Sequence, residues 1–251
     1  MQLHLSQHLL AIDAATVLTG ATRRPTAVIL WTANGRPFRL TDGAGEQSWE
    51  CRAAIVAPQF ARSLQAVDCD VLSLNFEPGH PYYPWLASQA REKGVVPIEY
   101  RSLKSCSEDV RALVSSTDSD DLERIAASIV DFATPGSRPQ VRNDGRIADV
   151  VQRIEAELSD PPSIPELARW VGLSADRLSH LFVEQIGVPA RSYIVWRRWR
   201  KAAVTLQRLP DLTSVAHSVG YYDHAQMTRA FVGYFGYIPS LLRREEFFSV
   251  R

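Results

Sequence analysis

Two short runs of the sequence hold polar side chains at spacings that suit hydrogen bonding rather than bond making. The first contains Asp176, Ser179 and His180, and the second contains His224, Ala225, Gln226, Thr228 and Arg229. Apolar residues recur between them at helical spacing: Leu178, Leu181 and Phe182 in one run, Met227 and Phe231 in the other. The polar set therefore falls on the opposite face of each helix. Side chains of these types near a helix start match the edges of base pairs. Arg229 can donate twice to guanine O6 and N7 and Gln226 can pair with adenine, while Asp176 either accepts from cytosine N4 or repels phosphate and weakens its unit. His180 and Arg229 occupy equivalent places, so each run offers a donor there. Arg177, Arg191, Arg197 and Arg198 are candidates for phosphate contacts, which fix position without reading sequence.

Nothing comparable supports catalysis, and no catalytic residue is expected. Cys51, Cys69 and Cys106 are an odd number with no CxxC spacing. That argues against a disulfide framework, against a cysteine-rich zinc centre and against a zinc-held alkyl-accepting cysteine, and it fits a reducing compartment. Before residue 138 the only histidines are His4, His8 and His80, without a His-x-His pair. Neither a three-histidine metal centre nor a cofactor is expected. Met1-Gln2-Leu3-His4-Leu5 lacks the basic start and apolar run of a signal peptide. No stretch approaches about 18 uninterrupted apolar residues, so no membrane partner is expected and the expected location is cytoplasmic.

The elements that must carry the polar runs form an internal repeat. Ala168-Arg169-Trp170-Val171-Gly172 matches Ala216-His217-Ser218-Val219-Gly220, Phe182 matches Phe231, Gly187 matches Gly236 and Pro189 matches Pro239. Each copy reads as a short helix, a turn with glycine, and a second helix with a central Phe. The expected helix-turn-helix units are 163–186 and 213–235. Ser163 and Ser174 are placed to cap the two helices of the first copy, with Thr213 and Asp223 in those parts in the second. Gly172 suits the positive φ needed after a helix end. Between the copies, Tyr193 to Leu206 reads as one long helix in which Arg197-Arg198-Trp199-Arg200-Lys201 forms a basic cluster placed to meet phosphates. Ahead of the repeat, Ile147, Val150, Val151, Ile154 and Leu158 mark the apolar face of a further helix.

The repeat resembles the arabinose-regulator (AraC/XylS) family of bacterial transcription regulators over roughly 142–251. Its strongest stretches are Glu166-Leu167-Ala168 through Gly187-Val188-Pro189 and Ser214-Val215-Ala216-His217-Ser218-Val219-Gly220-Tyr221 through Phe235-Gly236-Tyr237-Ile238-Pro239. Departures are mild: Trp199 stands where the joining helix usually has Leu, and Tyr221 where Phe is common. The resemblance implies two recognition helices entering successive major-groove segments on one face of double-stranded promoter DNA. It also implies a cupin-like N-terminal sensor. A homodimer through the N-terminal domain and an activator that meets RNA polymerase are expected, although activation or repression depends on where the site lies relative to the promoter.

The N-terminal half is read as β-rich, with helices at its end. Strand-like runs at 26–31, 37–40, 53–57 and 71–76 are broken by Asn34-Gly35, Asp42-Gly43, Pro58 and Pro78. Helices are expected over 84–91, 108–115 and 120–132, the last capped by Asp118. In that helix Leu122, Ile125, Ala126, Ile129 and Val130 form a stripe that reads equally as core or as a subunit interface. Thr134 to Pro139 reads as a linker. The expected fold is thus α+β in two domains: 1–137, a sensor and dimerisation domain, and 138–251, an all-helical DNA-binding domain. Charge agrees, since 1–137 holds 12 Lys+Arg against 16 Asp+Glu and 138–251 holds 16 against 12. If the barrel takes a small-molecule effector, Trp31, Phe38, Trp49, Phe60 and Phe76 are candidates for its walls and Arg36, Arg39 or Arg52 for orienting an anion. The alternatives are that these aromatics only fill the barrel, and that a protein partner or abundance sets activity.

Overall fold

The computed structural model describes residues 2–6, 8–114, 119–134, 136, 144–206, 208–209, 211–243 and 249–250. By its contacts the chain divides into two compact units. One is Met1–Arg138 with Val232–Tyr237 and Arg244–Arg251, and the other is Pro139–Phe231 with Ile238–Arg243. The linker expected at 134–139 lies mostly outside the described residues, as does Asp118.

The first unit opens with nine strands: β1 (Gln2–Leu5), β2 (Leu9–Ala14), β3 (Val17–Leu18), β4 (Ala27–Thr32), β5 (Phe38–Asp42), β6 (Ser48–Cys51), β7 (Ala53–Val56), β8 (Arg62–Ala66) and β9 (Val71–Phe76). Then follow α1 (Tyr83–Ala90), β10 (Val95–Pro97), α2 (Arg101–Ser105), α3 (Ser107–Val114) and α4 (Ser119–Ala133), with β11 (Ser249–Val250) from the chain's end. They build a seven-stranded sheet in the order β10-β7-β4-β9-β2-β1-β11 and a four-stranded sheet in the order β3-β8-β5-β6. Pairing is antiparallel except between β1 and β11.

The larger sheet is buried on both faces, which explains why β4 and β9 read as unbroken apolar runs instead of alternating. Side chains still alternate between faces. Val28 and Leu30 of β4 point with Ile12, Val71, Leu40 and Leu64 into a cavity between the two sheets. Trp31 takes the other face, fully buried, and donates from Nε1 to Ser107 Oγ at 3.1 Å. On α4, Leu122, Ala126, Ile129 and Val130 are fully buried and Ile125 half-buried, so this stripe is core of the first unit. The subunit-interface reading of it is corrected: the stripe is already covered by its own chain.

None of the eight residues expected to wall an effector pocket or to orient an anion in it lines this cavity. Trp31 faces away from it by strand parity, and Phe38 is buried elsewhere in the core. Arg36 pairs with Asp68 and Arg39 with Glu50 at the surface, while Arg52 Nε donates to Gly35 O. Trp49 packs edge-on against Phe60. The cavity's cations are instead Arg24 and Arg62.

The second unit is helical: α5 (Gly145–Ala156), α6 (Ile164–Trp170), α7 (Ala175–Ile186), α8 (Ala190–Thr205), α9 (Leu212–Ser218) and α10 (His224–Phe235) as far as Phe231, with a 3-10 turn at Pro239–Arg243. On α5, Ile147, Val150 and Ile154 are buried, followed by Leu158, as the apolar spacing requires.

Candidate nucleic-acid interface

Each helix of the two copies begins on a cap. At α6, Ser163 and Glu166 form a reciprocal capping box, and the Ser163 bonds hold the Glu166 carboxyl below its ordinary range. Ser174 Oγ accepts from Arg177 N to start α7. At α9 the cap is Asp211, whose Oδ1 accepts from Ser214 N at 2.7 Å. Thr213, expected in that part, lies inside the helix. Asp223 Oδ1 accepts from Gln226 N at 2.6 Å ahead of α10.

The turns begin alike. Leu173 N donates to Ala168 O in the first copy and Tyr221 N to Ala216 O in the second, each closing a helix end after a left-handed glycine, Gly172 or Gly220. Gly220 is required for space as well, because a Cβ there would drive into the backbone of Ser159.

Burial follows the expected faces. Leu178, Leu181 and Phe182 are buried on α7, as are Met227 and Phe231 on α10. Phe182 packs edge-on against Tyr193 of α8, and Phe231 lies beside Trp199 of the same helix. Asp176, Ser179 and His180 are exposed on α7, and His224 and Arg229 on α10, with Ala225 and Thr228 half-buried. Two of the candidates have local bonds. Ser179 Oγ donates to Ala175 O, and Gln226 Oε1 accepts from Tyr222 N at 2.9 Å. Gln226 is thus tied into the start of α10, which its position three residues after Asp223 would have signalled.

The basic cluster of α8 is largely withdrawn from solvent, which corrects the expectation of a phosphate-seeking patch there. Arg197 Nε pairs with Glu155 Oε1 at 2.6 Å, and the same oxygen accepts from Tyr193 Oη at 2.8 Å. Arg198 donates from Nε to Leu158 O and from Nη2 to Ser159 O, and burial lowers its pKa. Arg200 is buried, whereas Lys201 is exposed. The physical reason is that α8 is enclosed by its neighbours, so its cations tie α5 and the following turn to it. Of the four phosphate candidates, Arg177 and Arg191 are exposed.

Comparison with known proteins bears on this unit first. Residues 167–245 match the family described as a helix-turn-helix domain. The arabinose operon regulatory protein of Salmonella typhimurium is 35% identical over 103 residues, covering 40% of this chain and 36% of that protein. Its Escherichia coli counterpart is 34% identical over 103 residues, covering 40% and 35%. The matched stretch thus spans about a third of the length of these curated relatives. Among solved structures, ToxT from Vibrio cholerae O395 superposes with a TM-score of 0.58 at 12% identity, over 94% of this chain and 96% of that one. ToxT bound to an unsaturated fatty acid gives 0.54 at 14%, covering 94% of each. At such identities the likeness establishes fold: a β-rich part followed by a helical part. Residues 167–245 thus carry a helix-turn-helix domain, and this part of the chain is similar to the arabinose operon regulatory proteins.

Proposed function

We propose that this chain is a sequence-specific transcription regulator that binds double-stranded promoter DNA through both helix-turn-helix units and answers to a small molecule held by the first unit. One observation carries the DNA part: two capped helices each turn a polar face outward at matched positions, with Asp176, Ser179 and His180 on one and His224, Ala225, Thr228 and Arg229 on the other. Gln226 contributes its amide NH2, and Arg177 and Arg191 supply phosphate contacts. The test is titration of the full chain against duplex DNA at several salt concentrations. Affinity falls steeply with salt if Lys and Arg displace counterions; a slope near zero overturns the reading.

The cavity between the sheets supports ligand control. Among the described residues its lining is mostly apolar, contains Arg24 and Arg62, and holds no Asp or Glu. Burial, then the like charge of Arg62, pushes Arg24 well below its ordinary range, and burial lowers Arg62 to about 10. Such desolvated cations favour an anionic partner. The shared fold with ToxT, solved with an unsaturated fatty acid, supports an apolar acid as the effector class. Homodimer formation through the first unit, action as an activator that meets RNA polymerase, and a cytoplasmic site of action complete the proposal. A thermal-shift panel of apolar acids and other metabolites on the full chain tests ligand control. Activity set by a protein partner or by abundance instead predicts no shift with any metabolite.

A further inference from the structure

The two helix-turn-helix units differ by one inserted residue. Gly172 stands two positions before the cap Ser174, while Gly220 stands three before the cap Asp223. The copies match up to Leu173 and Tyr221, whose N–H groups make the same bond back to the first helix, and they match again from the caps onward. Tyr222 is therefore the extra residue.

This residue is displayed, with 86% of its surface exposed, while Tyr221 beside it is buried. Its backbone is nonetheless held at both ends. Tyr222 N donates to Gln226 Oε1 at 2.9 Å, and Tyr222 O lies 3.0 Å from His217 Nε2, which donates in the tautomer carrying its proton there. The side chain thus projects from a fixed point, and its hydroxyl bonds no other described residue. A group ordered before binding loses less freedom when it binds.

The N-terminal end of a recognition helix is the end that enters the groove, so the residue ahead of its cap meets the sugar-phosphate strand at the groove's edge. Tyrosine is among the side chains that bond there, and its apolar ring and polar tip suit a surface of sugars and phosphates. We infer that Tyr222 is a backbone anchor of the second unit, its hydroxyl donating to a phosphate oxygen and its ring lying along the adjacent sugar. The first unit has no counterpart, so the second holds DNA more firmly than the first. The inference rests on the DNA-binding reading above.

The experiment uses the full chain with Tyr222→Phe and Tyr222→Ala, the duplex that the unsubstituted chain selects from a random pool, and a random duplex. Melting temperatures match the unsubstituted chain, because the side chain is exposed. Tyr222→Ala weakens both duplexes alike by roughly tenfold, the size of a hydrogen bond to a charged group. It leaves the selected motif unchanged. Tyr222→Phe weakens both by less and loses one phosphate in ethylation interference. Unchanged affinity in Tyr222→Ala, or a changed motif, overturns the anchor. If the unsubstituted chain binds no duplex at any salt concentration, the DNA-binding reading itself fails, an outcome distinct from a binding chain indifferent to Tyr222.

Discussion

The ring of Trp199 lies 5.5 Å from that of Phe231, and six positions earlier on the same helix Tyr193 lies 5.8 Å from Phe182. The two repeated phenylalanines thus grip α8 through equivalent aromatic pairs. Six residues turn an α-helix by about 240° beyond one full circle, so the pairs engage different sides of α8. Trp196 stacks on Trp199 within the same helix, with ring centroids 4.7 Å apart. Phe231→Ala removes one grip and is expected to cost ~3–5 kcal/mol, the usual range for a buried aromatic. Denaturant unfolding followed by tryptophan fluorescence measures it, and Phe182→Ala gives a loss of similar size.

Arg229 and Arg198 separate base reading from architecture. Arg229→Ala is expected to cost ~1–3 kcal/mol on the selected site and to relax one base position, because the proposed bidentate base contact would be lost. Arg198→Ala strands the carbonyls of Leu158 and Ser159. It lowers unfolding stability by ~1–3 kcal/mol and leaves the motif unchanged. Selection from random DNA together with denaturation of each variant decides between these roles; an unaltered motif in Arg229→Ala removes it from the base readers.

Two glycines with similar backbones respond differently to a methyl group. Gly172, at φ 68°, has open space where a Cβ would project, so Gly172→Ala costs only the left-handed strain of ~1–2 kcal/mol. Gly220, at φ 88°, carries the same strain and also meets the backbone of Ser159, which cannot swing aside. Gly220→Ala therefore lowers the melting temperature well beyond Gly172→Ala. Equal shifts would show that the contact relaxes freely.

In the first unit, acid acts through Glu123. His80 Nδ1 accepts from Tyr82 N, which leaves Nε2 to donate to Glu123 Oε2 at 3.1 Å, and Ser6 Oγ donates to Glu123 Oε1. The bond from His80, more than any other cause, holds the Glu123 carboxyl below 4.5. Since the folded value is the lower one, its contribution is complete above pH 4.5 and fades as pH falls through the folded value. Melting temperatures taken from neutral into acid should therefore fall less steeply in Glu123→Gln than in the unsubstituted chain.

Much of the second unit was legible because its signals are local. Ser163, Ser174 and Asp223 announce helix starts, glycines announce their ends, and 3.6-residue spacing separates Leu178 and Phe182 from Ser179 and His180. The first unit hides more. With both faces of β4 buried, Ala27-Val28-Ile29-Leu30-Trp31-Thr32 shows no alternation, so nothing in it reveals that Val28 faces a cavity and Trp31 faces a helix. Arg24 precedes β4, and Arg62 starts a strand with weak β character, so neither stood out among the arginines. The α8 cluster misled for a related reason: charge order along a chain does not disclose which cations are enclosed.

That enclosure sets how the protein would search a genome. Counterion release scales with the number of phosphates neutralised, at about 0.9 in the salt slope for each contact on duplex DNA. Arg197 is matched to Glu155 with 14% of its side chain exposed, and Arg198 is spent on carbonyls. Cations withheld in this way add nothing to affinity for random sequence, where phosphates supply nearly all the attraction. On the proposed reading, time lost on the wrong sites would shrink accordingly, and the burden of residence would shift to the side chains of α7 and α10 proposed to face bases.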